Sequence, residues 1–219
     1  MDAYDRLMHA LAPSGATLIA VSKTKPVRAI EALYARGQRA FGENRVAEMV
    51  DKHAALPEDI EWHAIGHLQR NKVKDLAPFV HLIHSVDSLR LLKEIDKQAA
   101  ANARVIDCLL QFHIAEEESK YGFDFDGALG LLSSPEYAAM NNVRLVGVMG
   151  MATFTDDEAQ VTEEFKTLHH HFKNLKLQYF AEAPWFKEVS MGMSGDYELA
   201  LAHGSTMIRI GSLLFGARD

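Results

Sequence analysis

A chain of 219 residues with 48% hydrophobic content is long enough for one sizeable core, and no Pro/Gly-rich or low-complexity stretch divides it, so a single domain over 1–219 is expected. Its 23 basic residues are outnumbered by 30 acidic ones, and the resulting net charge of -7 repels nucleic acid and anionic membrane surfaces. No apolar run is long enough to span a membrane, residues 1–6 lack the pattern of a secretion signal, and a lone cysteine, Cys108, fits a reducing compartment, so a cytoplasmic location is expected.

An amphipathic segment at 2–11 predicts a helix ahead of the first strand. Short β-branched or apolar runs then recur at 17–22, 39–42, 60–66, 82–86, 105–114, 143–150, 188–192 and 207–211. Helical patterns fall between them at 27–36, 45–54, 88–101, 156–175 and 196–202. This alternation is the mark of βα units on a parallel sheet. A doubly wound, dinucleotide-binding sheet would carry a Gly-rich turn after its first strand. Here that strand runs into Val21-Ser22-Lys23-Thr24-Lys25-Pro26, with Pro26 suited to opening a helix. Eight strands in a chain of this length predict closure into a (βα)8 barrel, a TIM barrel with an extra N-terminal helix.

The working residues of such a barrel sit where its strands end. Lys23 ends the first strand beside Leu18, Ile19 and Val21, where scarce water would lower the pKa of an amine and suit it to condensing with an aldehyde. The ordinary fate of a lysine is to reach solvent, and Lys25, already in the loop, is assigned to that fate. Asn44 follows the second strand, His63 lies in the third and Met149 closes the sixth. The last two βα loops, Met191-Gly192-Met193-Ser194 and Ile210-Gly211-Ser212, offer backbone amides and hydroxyls of the kind that cradle phosphate. Ser194 has a structural alternative as the N-cap of the next helix, with Asp196 and Glu198 complementing its dipole. Gly211 and Ser212 could equally make only a tight turn. Alternation points Arg209 into the barrel if Ile208 and Ile210 face outward; it would there meet either a buried carboxylate or a ligand nitrogen.

Other features read as structural. Consecutive His169, His170 and His171 diverge by about 100° each on a helix and cannot converge on one ion, so they are expected to form a solvated face. Glu116, Glu117 and Glu118 read as a solvated acidic loop, Phe123 and Phe125 as a helix-packing anchor, and Cys108 as core. No metal-spaced Cys/His cluster is legible, and no metal is expected.

Taken together, Ala20-Val21-Ser22-Lys23-Thr24-Lys25-Pro26, Phe41-Gly42-Glu43-Asn44, Trp62-His63-Ala64-Ile65-Gly66-His67-Leu68-Gln69-Arg70-Asn71-Lys72, Lys120-Tyr121-Gly122-Phe123, Met191-Gly192-Met193-Ser194 and the 204–211 segment resemble the pyridoxal phosphate homeostasis proteins. Those proteins are similar to the N-terminal barrel of bacterial alanine racemase standing alone. The resemblance covers nearly the whole chain. It implies that pyridoxal 5'-phosphate (PLP) is held as a Schiff base on Lys23, that Ser194, Gly211 and Ser212 hold its phosphate, that Arg209 faces the pyridine nitrogen, and that Asn44 and His63 line the ring pocket. It also implies a monomeric carrier that releases the cofactor to apo-enzymes, without substrate turnover. Racemases of this kind use a tyrosine from a C-terminal β domain, and the sequence to Asp219 shows no such domain. Two other readings stay open: a PLP-dependent racemase or lyase of low activity, and a Schiff-base aldolase on a phosphorylated sugar.

Overall fold

The computed structural model describes residues 2–117 and 121–216; Glu118 of the acidic loop, Lys120 of the Lys-Tyr-Gly-Phe motif and the last residues of the 1–219 span lie outside them. Eight strands, β1 (Thr17–Val21), β2 (Ala40–Glu43), β3 (Glu61–Ala64), β4 (Leu82–Val86), β5 (Ile106–Phe112), β6 (Val143–Gly150), β7 (Glu188–Ser190) and β8 (Met207–Ile210), follow one another around a closed barrel. Neighbouring strands are parallel throughout, and β8 closes on β1 with Leu18 opposite Ile208 and Ile19 opposite Arg209. Both the expected barrel and its leading helix, α1 (Ala3–Leu11), are present.

Period-2 alternation gives each strand two faces. Outward residues such as Ala20, Phe41, Trp62, Ile83, Cys108, Ile208 and Ile210 join one large cluster with the helices. Inward ones, Ile19, Ala40, Leu82, Leu109, Val146, Met149 and Met207, fill the lumen as a second cluster. The barrel interior is therefore packed midway along its strands.

The connecting helices are α2 (Val27–Tyr34), α3 (Val46–Ala55), α4 (Val73–Leu76), α5 (Leu89–Ala101), α6 (Phe125–Leu132), α7 (Pro135–Ala138), α8 (Glu158–Gln178), α9 (Tyr197–Ala202) and α10 (Ser212–Phe215). Ser88 caps α5 by accepting the Leu91 N–H, and Asp157 caps α8 by accepting from Ala159 and Gln160. Helices α4, α6, α7 and α10 were not expected from the sequence. Three of them span only four residues each, too few for a period of 3.6 to register, and eight-residue α6 carries two glycines. Among the described residues no helix is long and apolar enough to cross a membrane.

Candidate functional site

A cavity of about 680 Å³ opens at the C-terminal ends of the strands, the size class of small-molecule sites. Six of the seven residues singled out from the sequence line it: Lys23, Asn44, Ser194, Arg209, Gly211 and Ser212. Its walls also include Val21, Ile65 and the 151–156 loop after β6, which sequence reasoning did not single out. That loop could have been found from position alone, since it follows a strand end. At its rim Phe154 is 96% exposed.

Lys23 stands on a turn two residues beyond β1, closed by the Lys25 N–H donating to the Ser22 carbonyl at 3.0 Å. The turn is anchored from below. Lys52, buried on α3, donates to the Ser22 carbonyl at 2.7 Å, to Glu43 Oε1 at 2.7 Å and to Glu48 Oε1 at 2.6 Å. Ser22 Oγ also donates to Glu43 Oε1, and Glu48 Oε1 accepts the Thr24 N–H, both at 2.6 Å. Thr24 holds a left-handed φ of 66°, uncommon for a non-glycine residue. Burial pushes the Glu43 carboxyl up from its ordinary value, against the pull of Lys52. None of this support was legible, because its members come from β1, β2 and α3. Lys23 itself is half-buried, less dry than the sequence implied, and Lys25 is half-buried too and lines the same cavity, so its assignment to bulk solvent is corrected.

Two residues beyond β7, Gly192 has φ +95°, and a Cβ there would lie 2.6 Å from Ala200 Cβ. Only glycine permits this loop to pass so close to α9. Asp196, not Ser194, occupies the N-cap position of α9, and Asp196 Oδ1 accepts the Met193 N–H at 2.5 Å. Ser194 is thereby released from the capping role considered for it and faces the cavity beside Gly211 and Ser212. Ser205 Oγ and Thr206 Oγ1 tie β7 to β8, donating to the Met191 carbonyl at 2.7 Å and to Glu188 Oε2 at 2.6 Å.

Arg209 points inward as alternation required and is 4% exposed. It donates to Ser190 Oγ at 2.6 Å and to the Gly150 carbonyl at 3.0 Å. Burial pulls its guanidinium down to about 10, which leaves it a cation at neutral pH. Ser190 Oγ continues the chain to His84 Nδ1 at 2.9 Å, and His84 Nε2 to His63 Nδ1 at 2.9 Å. His63 is absent from the cavity wall, which corrects the expectation that it lines the pocket. Two residues along the same face, Ile65 takes the wall position and leaves His63 one layer deeper. Burial drives His63 down to about 3 and His84 well below the ordinary histidine value, so both are neutral.

The other structural readings divide. Cys108 is fully buried, and burial pushes its thiol up. Only His170 of the triplet is exposed. His171 stacks on Phe125 at 4.8 Å and meets Phe112 at 5.0 Å, while His169 contacts Phe172, so the expected solvated face is half a packing face. Glu117 is half-buried and its Oε1 accepts the Phe154 N–H at 3.1 Å.

The chain is similar to known proteins over its whole length. A family model for the N-terminal domain of alanine racemase matches residues 3–219. A protein of Aquifex aeolicus named pyridoxal phosphate homeostasis protein is 40% identical over 205 residues, covering 93% of this chain and 87% of the relative. PipY of Synechococcus elongatus PCC7942 is 36% identical: solved without PLP it superposes at a TM-score of 0.87 over 99% of this chain and 100% of its own, and with PLP bound at 0.85 over 98% and 100%. Alanine racemase from Bartonella henselae, 18% identical with a TM-score of 0.71, shares the fold over 98% of this chain and 57% of its own.

Proposed function

The chain belongs to the alanine racemase N-terminal domain family and, within it, to the pyridoxal phosphate homeostasis proteins, and from that premise we propose that it holds pyridoxal 5'-phosphate on Lys23 and manages the cofactor without turning over a substrate. The carrying observation is that an amine after β1, a buried cation on β8 and two Gly/Ser loops after the neighbouring β7 and β8 meet in one cavity of about 680 Å³. This donor set fits the group. When bound, pyridoxal phosphate supplies an aldehyde that condenses with amines and a phosphate that needs hydrogen-bond donors.

Lys23 offers the amine, on a turn whose position is fixed by Lys52, Glu43 and Glu48. Ser194 and Ser212 offer hydroxyls, and Gly211 close backbone approach, for the phosphate. Arg209, still charged at neutral pH, would disfavour a proton on a pyridine nitrogen held beside it. An unprotonated ring is a weaker sink for carbanion electrons, which favours holding over amino-acid chemistry. Asn44 stands at the exposed rim, beside the amine. A second hollow, sharing Thr155, Asp156, Ser194, Asp196 and Leu213 with the first, leaves room for an incoming amine, as delivery to apo-enzymes requires.

That same room favours the second reading, a racemase or lyase of low activity; chiral chromatography with alanine, serine and threonine separates the two. Purified wild-type protein is expected to absorb in the imine band and Lys23→Ala to lose it. A Lys23→Ala protein that keeps the band refutes the proposal.

A further inference from the structure

At the opposite mouth of the barrel, beneath the cavity, Glu61 and His63 lie two residues apart on β3 and so on one face, and His81 stands just ahead of β4. The His81 N–H donates to the carbonyl of Trp62, the residue between the other two, at 2.9 Å. One nitrogen or oxygen from each of the three falls within 4.8 Å of the others. The His63 and His81 rings are 5.3 Å apart and tilted by 41°, not stacked. Glu61 and His81 are exposed while His63 is 2% exposed, so an ion would enter from solvent and meet one deep ligand.

His63 supplies an independent pointer. Its Nδ1 is bonded to His84, yet its buried Nε2 has no hydrogen-bond partner among the described residues. A buried polar atom left so costs about 1–3 kcal/mol, whichever nitrogen bears the hydrogen. The cost disappears if Nε2 gives its lone pair to a cation. The hydrogen then sits on Nδ1 and is donated to His84 Nε2, and the His84 Nδ1–H goes on to Ser190 Oγ, an oxygen that also accepts from Arg209. Metal-bound imidazoles are held by such an outer partner as a rule.

We propose that Glu61, His63 and His81 form a divalent transition-metal site, of a two-histidine, one-carboxylate set suited to Zn²⁺ with water completing the shell. The sequence hid it because His81 comes from the segment leading into a neighbouring strand, far from Glu61 and His63 along the chain. The site lies at the other mouth of the barrel from Lys23.

Chelator-stripped protein titrated with Co²⁺ tests this, since cobalt in a low-coordinate histidine site gives a visible d–d band. One equivalent per chain is expected, displaced by Zn²⁺, and Zn²⁺ is expected to raise the melting temperature. The Glu61→Ala/His81→Ala double variant is expected to lose affinity by more than the roughly 10–100-fold typical of outer-shell losses while keeping the imine band. A wild-type chain with no saturable cobalt band overturns the site, as does a band unchanged in the double variant. Loss of the imine band from wild type would instead strike the cofactor assignment alone.

Discussion

Two lysines face one cavity, and what separates them is how each is held. The carbonyl of Ser22, immediately before Lys23, accepts from the buried Lys52 ammonium, and the N–H of Thr24, immediately after, is held by Glu48. Lys25 comes a residue later, at the approach to α2. Lys23 was legible because an amine at a barrel strand end is chemically unusual; the claim of Lys25 on the same space was not, since the cavity both line is a tertiary feature of several loops. Arg209 was legible from alternation alone, its flanking isoleucines both outside the lumen. The expectation for His63 came from the resemblance, and the structure sets that side chain one layer below the cavity wall. Replacing Arg209 tests its role directly. On the proposed placement, Arg209→Gln would remove a fixed cation from beside the pyridine nitrogen, so the pKa of that nitrogen is expected to rise and the bound cofactor's absorbance to gain a protonation step at higher pH. A variant spectrum that titrates like wild type would contradict the placement.

At the scale of elements, the β1–α2 turn is the part most dependent on distant support. Glu43 and Lys52 form an ion pair with side chains 0% and 7% exposed. Lys52 keeps Glu48 and the Ser22 carbonyl when Glu43 is removed, so Glu43→Ala is expected to cost less in urea unfolding than the roughly 3–5 kcal/mol of a fully stranded buried charge, and the Glu43→Met/Lys52→Met double change to recover part of it. Additive single and double effects would show that the pair is not coupled. The β7–α9 loop depends instead on a missing side chain. Gly192→Ala puts a Cβ against Ala200 at a φ of +95°, with an expected loss of roughly 2 kcal/mol and weaker cofactor retention; an unmoved unfolding midpoint argues against this strain. Strands and long helices were legible because their periods repeat. The Lys52 anchor and the four unforeseen helices were not, the first being a tertiary contact and the others short or glycine-bearing.

As a whole molecule the barrel was legible from alternation and from the absence of a glycine-rich first turn, and closure of β8 on β1 brings the two Gly/Ser loops to the amine. Its two mouths carry different chemistry. One gathers an amine, hydroxyls and a cation, the other a carboxylate and two imidazoles, and Arg209, Ser190, His84 and His63 link them through the packed lumen. The central claim is that the amine of residue 23 carries the cofactor. Borohydride reduction of the purified protein followed by peptide mass mapping reads this directly. A pyridoxyl-phosphate increment confined to Lys23 is expected; a label on Lys25, or a sugar adduct in place of the pyridoxyl group, would contradict it.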